Sequence, residues 1–304
     1  MILETILFII GIAAVISATN FISKSTSNIT HSFGIPEYLA STIIISVICS
    51  LPILLIMLFS NIYDIPLLGV STMIGFALTT LTLVMGIFLI RNEVPVEYEG
   101  YRNSTFMWAS ALLLLVSTLD RFIDRMEAIF LLMLFAFYVL YIYYRTGKSK
   151  EYIYLKTKPM NILFYPLAIF AIILSSFVVV GSVVFLEGSL PMSISILGLI
   201  VFGLLFGLPM LNVIKNVFSS TKLTFDSIIG VVVVSLTLVP GISALILPIA
   251  YNNLFKIEIL PIIFLNMVCL SFAMLTRARR SIHRKTGFAL IAAFVLFVLL
   301  LFLF

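Results

Sequence analysis

Ser46, Cys49 and Ser50 stand three and four residues apart in an apolar run just ahead of Pro52, and Thr79 and Thr80 follow in the next such run. That is helical spacing, so the first three share one face. Pro52 and Pro209 occur in similar triplets, Ser50-Leu51-Pro52 and Gly207-Leu208-Pro209. Each proline lacks an N–H and crowds the carbonyl four residues back, which frees the oxygens of Ile48 and Leu205. Hydroxyls together with freed carbonyls can hold a dehydrated monovalent cation, as carbonyl rings do in channels. Small hydroxyl residues are also packing glue between membrane helices. For Ser46, Ser50, Thr79 and Thr80 both readings stand; Thr42 and Thr82 read as packing. Gly203, Phe206 and Gly207 occupy the corresponding face in the second half, where Ser227, Ser235 and Thr237 remain polar, so the first half is the wetter one. No nucleotide loop, catalytic triad or Cys/His cluster is present, so the sequence reads as no enzyme, with no cofactor and no metal-ligand set. His31 and His283 fall in loops without nearby ligand partners.

These residues must be positioned by membrane helices. Of 304 residues 62% are apolar and only 10% charged, with mean hydropathy +1.25, against about 25% charged in soluble chains. Such a composition leaves too little polar surface for a soluble enzyme, a disordered chain or a nucleic-acid binder, and makes the lipid bilayer the obligatory partner. Cys49 and Cys269 both lie in apolar runs, so a disulfide framework is excluded. Runs able to cross about 30 Å of hydrocarbon fall near 2–22, 36–59, 65–90, 105–119, 126–144, 162–186, 190–214, 226–250, 259–276 and 286–304. The first has no basic lead and no small-residue cleavage site, so it reads as a span rather than a cleaved signal. With ten spans, one side holds 15 of the 18 Lys and Arg residues. The positive-inside rule then puts both termini outside and the 145–161 loop in the cytoplasm of a cell-membrane protein. Asn28-Ile29-Thr30 and Asn103-Ser104-Thr105 are sequons in form, but both fall on the cytoplasmic side and read as chance. Tyr141, Tyr143, Tyr144, Tyr152, Tyr154 and Trp108 fit either an interfacial aromatic belt or ordinary packing. The Arg277–Lys285 cluster reads as a topology determinant touching anionic lipid. Nothing in the sequence speaks to an oligomeric state.

The halves repeat at an offset of 155–159 residues. Pro36 matches Pro191, and the two Leu-Pro triplets match. Thr72, Gly75, Thr79, Thr82 and Gly86 match Ser227, Gly230, Val234, Thr237 and Gly241, and Arg121–Ala128 matches Arg280–Gly287. Five spans per half make the halves cross in opposite senses, an inverted repeat of the kind transporters use around a midplane site. The expected organisation is an all-α polytopic membrane protein of ten transmembrane helices: 1–145 as the first repeat, 146–161 as a basic linker and 162–304 as the second. Spans two, three, seven and eight should form the centre, with both prolines interrupting their helices at similar depth.

These residues resemble the calcium/cation antiporter superfamily, the sodium/calcium exchangers among it. The family's Gly-Thr-Ser-Leu-Pro-Glu is similar to Ile48-Cys49-Ser50-Leu51-Pro52-Ile53, and its following glycine/asparagine motif to Ser71–Thr80. Gly34-Ile35-Pro36-Glu37 and Asp120–Glu127 are also family-like; Leu205–Met210 and Gly230–Ser235 are fainter counterparts. The resemblance implies a secondary cation transporter with alternating access. Its two site glutamates correspond to Ile53 and Met210, and its Asn or Asp positions to Thr80 and Ser235. Asp64, Asp120, Asp124, Asp226 and the glutamates all read as span ends or loops, and only Cys49, with a reference pKa of about 8.5, could carry a proton in the core. A divalent ion without counter-charge in such a core costs on the order of tens of kcal/mol. The implied substrate therefore shifts to monovalent cations. The transport-core candidates are Ser46, Cys49, Ser50, Ile53, Thr79, Thr80, Gly207, Met210, Ser235 and Thr237. The alternative is a structural or regulatory membrane protein that keeps the exchanger fold without transporting.

Overall fold

Among the described residues, ten long helices form where the ten apolar runs lie. The computed structural model describes residues 2–32, 36–95, 98–120, 122–146, 164–186, 193–217, 220–250, 255–279 and 281–303. Gly34, Ile35, Arg121, Tyr152, Tyr154, Pro191, Arg280 and nearly all of the 146–161 segment lie outside the described residues. The helices are α1 (Ile2–Ser32), α2 (37–62), α3 (Pro66–Arg91), α4 (Tyr98–Ser117), α5 (Arg125–Thr146), α6 (Phe164–Leu186), α7 (194–217), α8 (Thr221–Ile246), α9 (Phe255–Ala278) and α10 (Arg284–Leu303). Nine are long and apolar enough to cross a membrane among the described residues. The exception, α4, opens with Tyr98-Glu99-Gly100-Tyr101-Arg102-Asn103 and starts seven residues before its apolar run.

Local chemistry sets several boundaries. Pro66 opens α3, where an N–H is not needed. Asp64 turns the chain between α2 and α3 at φ 58, a left-handed conformation that aspartate tolerates. The Ser220 hydroxyl accepts from the Leu223 N–H at 3.2 Å and starts α8 at Thr221, five residues earlier than the apolar pattern indicates.

The prolines act differently from each other, which corrects the expectation of two interruptions. The helix Ile45–Ile62 runs continuously through Pro52. Only α7 is broken, between Gly203–Gly207 and Met210–Val217, with a turn at Leu208 and Pro209. Gly207 beside the second proline gives up helix propensity that Ser50 keeps. Wider π turns occupy Ala40–Ile44 in α2, Thr80–Val84 in α3 and Leu197–Phe202 in α7; such turns cluster at functional sites.

Two short strand pairs tie the halves together. After α3, β1 (Val94–Pro95) pairs with β4 (Ser281–Ile282); after α4, β2 (Phe122–Ile123) pairs with β3 (Ile249–Ala250). Val94 to Ile249 is an offset of 155 and Phe122 to Ser281 one of 159, the two values of the sequence repeat. The repeat therefore exchanges β1 with β3 and β2 with β4, and maps one pair onto the other.

Every residue from Leu68 to Thr82 in α3 and from Thr224 to Thr237 in α8 is buried. These helices form the centre, with α2 against α8 and α7 against α3. Gly75 and Gly230 permit that approach. A Cβ at Gly75 would strike the Leu199 carbonyl of α7, and one at Gly230 the Thr42 carbonyl of α2. Apolar side chains on the outer helices, such as Phe137, Phe170 and Phe185, remain exposed, as lipid contact requires.

Candidate functional site

Both prolines line one cavity of about 20 Å³ between α1, α2, α3 and α7, room for roughly one water. Around it stand Ile16, Thr19 and Asn20 of α1, Cys49 and Pro52 of α2, Phe76 of α3, and Phe206, Pro209, Met210 and Val213 of α7. Pro52 and Pro209 thus come to one cavity. Ile53 is wholly buried and Met210 nearly so. At the two positions that the resemblance assigns to glutamates, the side chains therefore offer no oxygen.

The hydroxyl candidates divide into two groups. Ser46 donates to the Ser227 carbonyl at 3.4 Å, Ser235 to the Val232 carbonyl at 2.9 Å and Thr237 to the Val233 carbonyl at 2.7 Å. Thr82 likewise donates to the Leu78 carbonyl at 2.5 Å, which agrees with its reading as packing. These oxygens are committed to holding helices. Ser50, Thr79 and Thr80 are also buried, but their hydroxyl oxygens have no partner. Thr79 lies directly against Gly207, whose added Cβ would come within 2.6 Å of its methyl. Thr42, read as packing, is also unpartnered at its hydroxyl. A buried hydroxyl without a bond costs about 1–3 kcal/mol, and Ser176, Ser227 and Ser243 are unpartnered in the same way. Cys49 and Cys269 are buried thiols that form no disulfide.

Charge enters elsewhere, and in two places sequence reasoning misplaced it. Asp226, expected at a span end or in a loop, is the sixth residue of α8 and wholly buried. Ser220 starts the helix early enough to carry Asp226 inside, so that cap was the available signal. Asn103 of the second sequon is buried too, and its amide donates to Asp226 Oδ1 at 2.8 Å and to the Tyr38 hydroxyl at 2.9 Å. His283 has a partner after all: its Nδ1 lies 2.9 Å from Glu93 Oε1, on the exposed loops beside β1 and β4. Sequence reasoning also missed Thr19 and Asn20, because nothing in α1 marks which of its faces meets α7.

The aromatic residues differ in their surroundings. Tyr143 and Tyr144 are exposed and touch edge to face. Tyr141 packs on Phe106 and lies 5.6 Å beneath the Arg102 guanidinium. Among the described residues no three His, Cys, Asp or Glu side chains come together. A cation at the midplane would have to be held by hydroxyl and carbonyl oxygens.

The sequence profile of the family described as "Sodium/calcium exchanger protein" matches residues 3–144 and 160–303. A curated relative, the inner membrane protein YrbG of Escherichia coli (strain K12), is 26% identical over 148 residues. That match spans 47% of this chain and 44% of the relative, so it covers about half of each protein. The crystal structure of the H+/Ca2+ exchanger CAX superposes with a TM-score of 0.80 at 16% identity, covering 97% of this chain and 82% of that one. The sodium-calcium exchanger NCX_Mj, soaked with Na+ and Sr2+, superposes with a TM-score of 0.67 at 16% identity, covering 98% of both chains.

Proposed function

Because the chain belongs to the sodium/calcium exchanger family, we propose that it is a secondary cation antiporter rather than an enzyme. It works by alternating access at the midplane between α2, α3, α7 and α8. Its selectivity has moved from divalent toward monovalent cations. The observation that carries this reading is the trio of buried, unpartnered hydroxyls at Ser50, Thr79 and Thr80. They belong to the two helices whose Cys49, Pro52 and Phe76 line the cavity beside both prolines.

The physical case has two sides. Those hydroxyls and the carbonyls freed at Ile48 and Leu205 supply neutral oxygens where a bare cation would otherwise be unsolvated. Ile53 and Met210 supply no compensating charge, and Ca²⁺ prefers 6–8 oxygens, several from carboxylates. A monovalent ion has a far smaller desolvation cost, so Na⁺ or K⁺ suits this core better. Ser46, Ser235, Thr237, Gly207 and Met210 shape the site without binding the ion. The proposed arrangement has both termini outside and the 145–161 loop in the cytoplasm. Residues 146–161 link a first repeat at 1–145 to a second at 162–304. Labelling of single cysteines in that loop from one side of intact cells checks the orientation.

Flux into proteoliposomes across a panel of monovalent and divalent cations tests the function. The expected result is gradient-driven movement of a monovalent cation with none of Ca²⁺. A second reading, a regulatory membrane protein that retains the fold, is favoured by the buried apolar Ile53 and Met210. Absence of flux for every ion would establish it.

A further inference from the structure

Four side chains from four helices meet at the end of the bundle where α2, α4 and α8 begin and α5 ends. Asn103 of α4 spends both amide hydrogens there, one on Asp226 Oδ1 at 2.8 Å and one on the Tyr38 hydroxyl at 2.9 Å. Arg145 of α5 donates to the same Tyr38 oxygen at 3.0 Å, with its guanidinium 4.7 Å from the centre of the Tyr38 ring. Asp226 comes from the second repeat; Tyr38, Asn103 and Arg145 come from the first. The midplane site uses none of these residues.

The hydrogen bonds do not balance. Asp226 Oδ2 and Asn103 Oδ1 are both shielded from solvent and both lack a partner. An ionised carboxylate and an amide oxygen are acceptors only. Two acceptors without a partner within bonding distance sit on a pair already joined by one N–H···O bond, and the Tyr38 hydroxyl is the further donor that faces the carboxylate. One proton on Asp226 Oδ2 changes this oxygen from acceptor to donor, and Asn103 Oδ1 is a free acceptor on the residue already bonded to it. An acid and an amide are chemically complementary in this way, each with one donor and one acceptor.

We propose that the Asp226–Asn103 pair is a proton-binding site that joins the two repeats, separate from the midplane. In the step, a proton from solvent forms an O–H bond at Oδ2, the carboxylate becomes a neutral acid, and no other bond breaks. The charged and titratable neighbours come from every packed element. Arg145 of α5 and Lys222, one turn back on α8, lie within electrostatic reach of the carboxylate, with the Tyr38 phenol of α2 beside it. The Tyr138 phenol of α5 is buried nearby, and its oxygen also lacks a partner. The two cations and the Tyr38 hydroxyl compensate the charged form, and Asn103 Oδ1 offers the acceptor that the neutral form needs. Proton occupancy therefore exchanges a charged tie between the repeats for a neutral one.

The test is infrared difference spectroscopy on the purified full chain in detergent, between acidic and basic buffer, and it does not depend on transport. A protonated-carboxyl C=O stretching band is expected in the difference spectrum, lost in Asp226→Asn and moved to higher frequency in Asn103→Leu, which removes the acceptor. Identical spectra for the unmodified chain and Asp226→Asn would overturn the proposal. Should Asp226→Asn fail to fold, an unmoved band in Asn103→Leu would overturn it equally. Because the readout is a vibrational band, loss of the antiporter reading through absent flux leaves this site untouched, and the reverse also holds.

Discussion

The midplane core and the Asp226 cluster are both buried where helices of opposite repeats meet, yet they are built from opposite materials. The midplane holds neutral hydroxyls, two prolines and the apolar pair Ile53 and Met210. The cluster holds a carboxylate linked through an amide to a phenol and a guanidinium. The difference follows from where compensation is available. At the helix ends, Arg145 and Lys222 lie within reach of Asp226, so an acid can be buried without being isolated. Among the described residues no basic side chain lines the cavity between the prolines, and an acid there would need a bound cation to balance it. This chain keeps its buried charge where the protein itself supplies the counter-charge.

The largest test of that contrast is to move charge into the core. The double variant Ile53→Glu/Met210→Glu is expected to bind Ca²⁺ with micromolar affinity, about 8 kcal/mol, where the unmodified protein binds none by isothermal titration. A Ca²⁺-dependent rise in melting temperature in the variant alone would give the same answer. Micromolar binding by the unmodified protein would break the comparison, because neutral oxygens would then suffice for a divalent ion.

A smaller effect separates backbone contact from side-chain contact. Gly75→Val drives a side chain into the Leu199 carbonyl, which cannot move aside as a flexible side chain could. A loss of about 3 kcal/mol or more is expected, seen as an early, broad melting transition in detergent. Next comes Asp226→Leu, which leaves one Asn103 amide hydrogen without its acceptor at a cost of about 2–3 kcal/mol. Asp226→Asn should lose markedly less. Equal melting temperatures for both variants would mean that the cluster contributes no more than packing.

The smallest effects sharpen the division among hydroxyls. Ser235→Ala and Thr237→Ala each remove a backbone-directed bond and should cost about 1 kcal/mol while leaving flux intact. Ser50→Ala and Thr80→Ala remove buried oxygens that bond to nothing, so stability should hold or rise, by up to about 1 kcal/mol. Flux of the monovalent cation should nevertheless fall. Unchanged flux in both would assign those hydroxyls to packing.

The positions of the ten helices, the opposed crossing of the halves and the two proline triplets were all legible in the chain. Each is written in local chemistry: apolar run length, an odd number of spans per half, and a residue without an N–H. The absence of acids at Ile53 and Met210 could be read in the same way, by position within a motif. Tertiary structure alone decided that Pro52 sits in an unbroken helix while Pro209 breaks one. It also decided that α1 brings Thr19 and Asn20 to the cavity, and which hydroxyls are already bonded. Asp226 shows the reason most clearly. Its amide partner Asn103 lies 123 residues away, and each residue taken alone resembles an ordinary helix-end acid and an ordinary sequon. Burial and hydrogen bonding are properties of pairs, and a linear pattern of spacing records only what neighbours along the chain share.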